Sequence, residues 1–453
     1  MNIQTIKPIL LLKIFDFCTV KELINVRQTC QQFKRISDKS RVWFEYLKFI
    51  QKPHLERTTS LTLSNTNTNT NLQEKDVQDL VPNEEYEINM VYQKRINWFA
   101  VCVSEKKTQK NWKEGTYEIV SIEAKGGVRC LTIEEDLLLF GTDENFVSVY
   151  DLAQQKPEYK GTFSGHKGWV ECIDMDFDSL TAVSGGWDST VCVWDLEKAK
   201  LKYKLKGHKD RVVCLKMNEK YIVSGDWRGE LIVWDKENGK RLHKLHNHTN
   251  SIFALELEKN IAITSSADKT IKIFDIEKGE LKTTLTGHKN WVVTVKKVNP
   301  LSSTHNIVSG GWDGVTRVWD IENEKSFGST GGHTDSITCL EVLNPYNNPV
   351  FLTGSVDHLI KKWDLRSGRV VQTFYGHRSP VKCLSVTPSL NTVVSSGDVK
   401  DSSVYFWDFR TGKLLYSKYQ HRENTEITSM KVDNEKVITG SNDGTVKIWN
   451  FRI

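Results

Sequence analysis

The chain has 453 residues, 38% of them apolar and 26% charged, and its 62 basic and 57 acidic residues leave a net charge of +5. That balance excludes a collagen, a wholly disordered chain and a polytopic membrane protein, and the charge is too small to mark a nucleic-acid binder. The first apolar run, Ile9 to Leu12, stops at Lys13 and is too short for a signal-peptide core or a membrane span. The chain is therefore expected in the cytosol, with the nucleus also open to it, and no membrane partner is expected. Nine cysteines without a Cys-x-x-Cys pair indicate neither a disulfide framework nor a zinc site, and no cofactor is expected.

Residues 5–50 form the first unit. Residues 1–50 carry nine Lys or Arg against four Asp or Glu, so the whole net charge sits there and an acidic partner suits it. Pro8 opens one helical stretch and the capping box Thr19-Val20-Lys21-Glu22 opens a second, with a third ending at Val42-Trp43. The apolar positions Leu10, Leu11, Ile14, Phe15, Leu23, Phe33 and Trp43 are more than so short a segment can bury alone, so the helices are expected to finish their core on a partner. Together with Pro8, these residues resemble an F-box, with Lys7 and Ile9 in place of a usual Pro and Glu. The resemblance implies that this face docks on a Skp-type adaptor.

Residues 51–83 include Thr58 to Leu72, an alternation of Asn and Thr too poor in apolar residues for a core, and read as a disordered low-complexity linker. Residues 84–115 return to helical spacing, with Ile88, Val91, Tyr92, Ile96 and Phe99 along one side. This helical linker is also a candidate dimerisation element.

From residue 116 to 453 the chain repeats with a period of about 42 residues, the spacing of a propeller blade. Eight closing pairs mark it: Tyr150-Asp151, Trp194-Asp195, Trp234-Asp235, Phe274-Asp275, Trp319-Asp320, Trp363-Asp364, Trp407-Asp408 and Trp449-Asn450. Each of the last seven repeats carries a histidine ahead of its strands: His166, His208, His248, His288, His333, His377 and His421. Short apolar strands separated by tight turns such as Gly185-Gly186-Trp187-Asp188 read as four-stranded blades. The last repeat stops at its third strand, and Tyr117 to Glu123 is expected to complete it and close the ring.

This part resembles the WD-repeat family, so the expected fold is an all-β, eight-bladed WD-repeat propeller behind a three-helix F-box and a helical linker. The resemblance implies a tetrad of His, Ser or Thr, Asp and Trp in each blade, matched by His288, Ser309, Asp313 and Trp319, and by His333, Thr353, Asp357 and Trp363. Arg228 replaces the turn Asp of blade 3 and Phe274 the closing Trp of blade 4, and both blades are expected to hold less firmly.

Ser, His and Asp recur in almost every blade, whereas a catalytic triad is needed once, so no catalytic residue is assigned. The strand cysteines recur at one blade position and read as core, and His243, His246 and His248 lack thiolate or carboxylate company for a metal. Five tryptophans remain without a fold duty: Trp169, Trp187, Trp227, Trp291 and Trp312. By resemblance they face the top of the channel, as an apolar floor for a peptide or as packing over neighbouring blades. Arg129, Lys382 and Lys400 occupy places where phosphodegron-binding relatives carry arginines, and they read either as a phosphate-binding sector or as an ion-paired rim.

The order of F-box, spacer and propeller resembles the substrate receptors of Skp-cullin-F-box ubiquitin ligases. It implies a non-catalytic subunit whose partners are a Skp-type adaptor, a cullin and a phosphorylated protein substrate. The alternatives are a non-catalytic scaffold, or a methyl-lysine peptide reader using Trp169, Trp187 and Trp227 beside Glu171 and Asp143.

Overall fold

The structure is a computed structural model and describes residues 107–452 apart from residues 155, 299–305, 322, 324, 344–349 and 388–391. The F-box residues Pro8, Leu10, Leu11, Ile14, Phe15, Leu23, Phe33 and Trp43, the linker 51–83 and the spacer up to residue 106 lie outside the described residues. Among the described residues, no helix is long and apolar enough to cross a membrane.

Among the described residues thirty-two strands form eight four-stranded antiparallel sheets, the all-β, eight-bladed propeller that the repeats predict. Within a blade the strands run a to d from the channel outward. Strand b is covered on both sides by neighbouring blades, and its residues are all buried in Thr181–Gly186 and Thr392–Gly397. A strand buried on both faces has no use for alternation, so these read as continuous runs of small and apolar residues. Outer strands such as Lys200–Lys206 expose Lys200, Lys202 and Lys206 and bury only Leu205.

Blade 8 is closed by the strand that precedes blade 1. Glu118–Glu123 pairs antiparallel with Thr445–Asn450, from Glu118 opposite Asn450 to Glu123 opposite Thr445. A ring closed this way leaves no unpaired edge between its first and last repeats. Just before this strand a helical turn over 107–114 buries Trp112. Its indole stacks on Phe451 with ring centres 3.8 Å apart, its Nε1 donates to the Asn434 carbonyl at 2.9 Å, and Tyr416 donates to the Trp112 carbonyl at 2.7 Å.

Two local devices build the top face, the face that carries the histidine loops and the b–c turns. Every strand a bulges after its first residue, as between Val128 and Cys130 or Val381 and Cys383. The bulge turns one residue per blade out of register: Arg129, Glu171, Val213, Phe253, Val293, Thr338, Lys382 and Thr428. Apart from the longer turn of blade 7, each b–c turn places a residue in the left-handed region, and blade 3 uses Gly229 there, at φ +84. A Cβ on Gly229 would lie 2.6 Å from the His248 and Asn250 carbonyl oxygens, so glycine is required.

Candidate functional site

Six of the seven histidines sit in complete carboxylate–imidazole–hydroxyl chains. In blade 2, His166 Nδ1 lies 3.0 Å from Asp188, its Nε2 is 2.8 Å from Ser184 Oγ, and Trp194 Nε1 donates to the same oxygen at 2.8 Å. The carboxylate fixes the proton on Nδ1, which leaves Nε2 to accept from the hydroxyl and the hydroxyl oxygen to accept from the indole. Burial pushes the Asp188 carboxyl up, but its hydrogen bonds to His166 and Thr190 outweigh that and hold it well below its usual range. These groups are buried and mutually satisfied, so they are structure.

Blade 3 corrects the expectation that it lacks its carboxylate. Asp226, the last residue of strand b, takes the place that Arg228 cannot, with Oδ2 3.1 Å from His208 Nδ1. The position is suited to this: a Cβ on its counterparts Gly186 and Gly311 would lie 2.7 and 2.8 Å from His166 and His288 Nδ1. Arg228 instead pairs with Asp210 at 3.1 Å on the surface. In blade 4, Phe274 fills the Trp place and is buried without a donor, while His248 keeps Asp268 and Thr264.

The defective chain is in blade 7. Two extra residues lengthen its b–c turn, Asp401 turns to the Tyr405 hydroxyl, and buried His377 Nδ1 has no partner. Burial pulls the His377 imidazole down to about 4 despite the nearby Asp401.

His208, Asp226 and Glu230 have metal-ligand spacing. Asp226 already accepts from His208 and from two backbone N–H groups, and Glu230 lies 3.0 Å from Lys244. Lys209 and Arg228 line the same cleft of about 520 Å³, so a dication would meet surrounding cations. Burial pushes the Cys214 and Cys339 thiols up to about 12, which keeps them from acting as thiolates.

The unspent tryptophans come together. Strand pairing sets the residue before strand a beside a residue of the b–c turn, because Trp187, Trp227 and Trp312 donate their N–H groups to the carbonyls of Trp169, Arg211 and Trp291. In blades 2 and 5 this packs indole against indole, tilted with ring centres 4.3 Å apart for Trp169 and Trp187 and stacked at 4.4 Å for Trp291 and Trp312. In blade 3 the Arg211 guanidinium lies 3.6 Å from the Trp227 ring centre and 4.5 Å from that of Trp187, which joins blades 2 and 3. Phe253, the bulge residue of blade 4, bridges Trp227 at 6.0 Å and Trp291 at 5.6 Å. The result is one aromatic arc across blades 2 to 5. Trp169, Trp187, Trp227 and Trp312 each remain 37% to 43% exposed, which the core has no reason to allow.

The basic residues fall otherwise. Arg129 sits 3.4 Å from Glu171 and over Trp169 at 5.1 Å, and Glu171 also accepts from Trp187 Nε1 at 3.1 Å. Lys382 pairs with Glu426 at 2.7 Å, and Lys400 is exposed in the long turn of blade 7. The indole faces on which a methylated ammonium would rest carry the chain's own guanidinium groups, Arg129 on Trp169 and Arg211 on Trp187 and Trp227. Sequence reading passed over Arg211 and Phe253, although the signal was there: Arg211 occupies the place of Trp169 and Trp291, and Phe253 that of Arg129 and Lys382.

A profile described as "WD domain, G-beta repeat" matches residues 157–195, 199–235, 239–275, 279–320, 324–364, 368–408 and 412–450. The chain belongs to the WD-repeat family. A profile described as "F-box domain" matches residues 8–45, ahead of the propeller, a range that includes Pro8, Leu10, Leu11, Ile14, Phe15, Leu23, Phe33 and Trp43. The stretch before residue 157, which has neither a repeat histidine nor a closing tryptophan, lies outside these matches. Among relatives, Cell division control protein 4 of Saccharomyces cerevisiae is 34% identical over 99 residues, 21% of this chain and 12% of that protein. Small ribosomal subunit protein RACK1y of Oryza sativa subsp. japonica is 46% identical over 50 residues, 11% of this chain and 15% of that protein. The matched segments thus span a small part of each relative's length. Among solved structures, the computationally designed Ika8 protein aligns with a TM-score of 0.65 at 26% identity, covering 74% of this chain and 99% of that one.

Proposed function

We propose that this F-box and WD-repeat chain is the substrate-recognition subunit of a Skp-cullin-F-box ubiquitin ligase and itself makes and breaks no bond. The F-box engages the adaptor, and through it the cullin, with Leu10, Ile14 and Phe15 on the contact, while the top face of the propeller holds a short segment of the substrate. The observation that carries this reading is the aromatic arc from Trp169 to Trp312: indoles of blades 2, 3 and 5, joined by Phe253 of blade 4 and four of them exposed, offer a surface that can bury apolar side chains of a ligand.

A phosphorylated segment is the finer part of the proposal. It assigns phosphate contacts to Arg129, Lys382 and Lys400, of which the first two would have to exchange Glu171 and Glu426 for the ligand. Replacing both Lys382 and Lys400 by Glu is expected to abolish any preference for a phosphorylated over a plain peptide in a fluorescence-anisotropy titration. An unchanged preference would assign these residues to an ion-paired rim. Retention of the adaptor without the cullin in a pull-down would favour a scaffold.

A further inference from the structure

Arg211 makes no hydrogen bond or ion pair through its side chain among the described residues, although it sits at the centre of the arc. Its indole neighbours cover guanidinium surface and offer it no acceptor. The nearby carboxylates are committed elsewhere. Glu171 holds Arg129 and the Trp187 indole, while Asp210 accepts the backbone N–H of Arg211 at 2.8 Å and pairs through its other oxygen with Arg228. The long side chain is thus packed in place with its five donors unspent, which reduces the entropy a ligand must remove to use them.

We propose that Arg211 is the anion-reading residue of this face and takes a carboxylate adjacent to an apolar or aromatic side chain of the bound segment. The inference rests on the reading of the top face as a peptide site. Charge decides for carboxylate over phosphate. With Arg129 balanced by Glu171 and Arg228 by Asp210, the centre of the arc holds one uncompensated positive charge, which a carboxylate cancels. A phosphate brings about −1.5 to −2 and would leave excess negative charge beside two carboxylates. Shape agrees, since a flat carboxylate pairs edge to edge with the guanidinium while the side chain next to it lies on Trp187 or Trp227.

Short random peptides displayed on phage, selected on the full chain and on its Trp227→Ala variant, supply the probe. The best binder is resynthesised with its acidic residue changed to Gln, with that residue changed to phosphoserine, and with its C-terminus amidated. Each form is titrated by fluorescence anisotropy against the native chain, Arg211→Gln and Arg211→Lys, whose melting temperatures report intact folding. The native chain is expected to lose about tenfold or more in affinity on the Gln change, Arg211→Gln to show no such loss, and Arg211→Lys an intermediate one. Loss on amidation instead would place the same carboxylate at a chain terminus. Equal affinity for the acidic and Gln forms, or tighter binding of the phosphoserine form, overturns the proposal while leaving the face a peptide site. Failure to select any peptide whose binding depends on Trp227 overturns the peptide-site reading and the proposal with it.

Discussion

A single side chain decides how each blade is latched, and the two unusual latches make opposite predictions. In blade 3 the carboxylate is Asp226, so Asp226→Ala strands a buried imidazole N–H and should cost about 1–3 kcal/mol in urea unfolding. Arg228→Ala removes only a surface pair, 65% exposed on the arginine side, and should stay within about 1 kcal/mol. The reverse order would restore Arg228 as the latch position. In blade 7, His377 is held neutral by burial, with its imidazole at about 4 against an ordinary 6.5. Between those values the unfolded chain takes up a proton that the folded chain refuses, so this residue's contribution to stability is present above pH 6.5 and falls as pH drops toward 4. The loss should reach about 3 kcal/mol at its fullest, and His377→Gln should flatten that part of the stability–pH curve. A curve of the same slope in both proteins would show that His377 is not the group responsible.

At the scale of elements, closure of the ring rests on Glu118–Glu123 and on the indole packed just before it. A chain beginning at residue 107 should melt like the intact propeller. One beginning at 116 loses Trp112 from the core and should be weaker by about 3–5 kcal/mol, and one beginning at 125 also exposes the edge of blade 8. Equal melting of the last two would contradict strand closure. The closing strand was legible in the chain because Tyr117 to Glu123 alternates and the last repeat stops short. The tryptophan pairs were legible only as an excess, since which indole meets which depends on the register that sets Trp187 beside Trp169 and Trp227 beside Arg211. Least legible was the belt of charge inside the channel. Asp174, Lys216, Glu256, Lys296, Glu341 and Lys431 share one level of strand a, and Asp174–Lys216 and Glu256–Lys296 pair at 3.0 and 2.7 Å. In sequence these are isolated charges about 42 residues apart, and only a closed ring makes them neighbours.

Across the whole molecule the top face is lopsided. Blades 2 to 5 present a continuous run of indoles, one phenyl ring and Arg211, while blades 7 and 8 meet through the Lys382–Glu426 pair. A ligand should therefore lie across one half of the face instead of plugging the channel symmetrically. On the proposed function the F-box at 8–45 has a task separate from that of the propeller, and the two tasks should be separable by mutation. Ile14→Asp with Phe15→Asp places charge on the apolar contact and should abolish adaptor binding without touching the propeller. The most direct measurement is quantitative mass spectrometry of proteins captured from cells under proteasome inhibition by three chains: the native one, this F-box variant, and a propeller variant carrying Trp187→Ala and Trp227→Ala. The F-box variant should lose adaptor and cullin and keep its client proteins, and the propeller variant should keep adaptor and cullin and lose those clients. Clients that persist on the propeller variant, or that leave together with the adaptor on the F-box variant, would contradict a receptor that recognises its substrate through the aromatic arc.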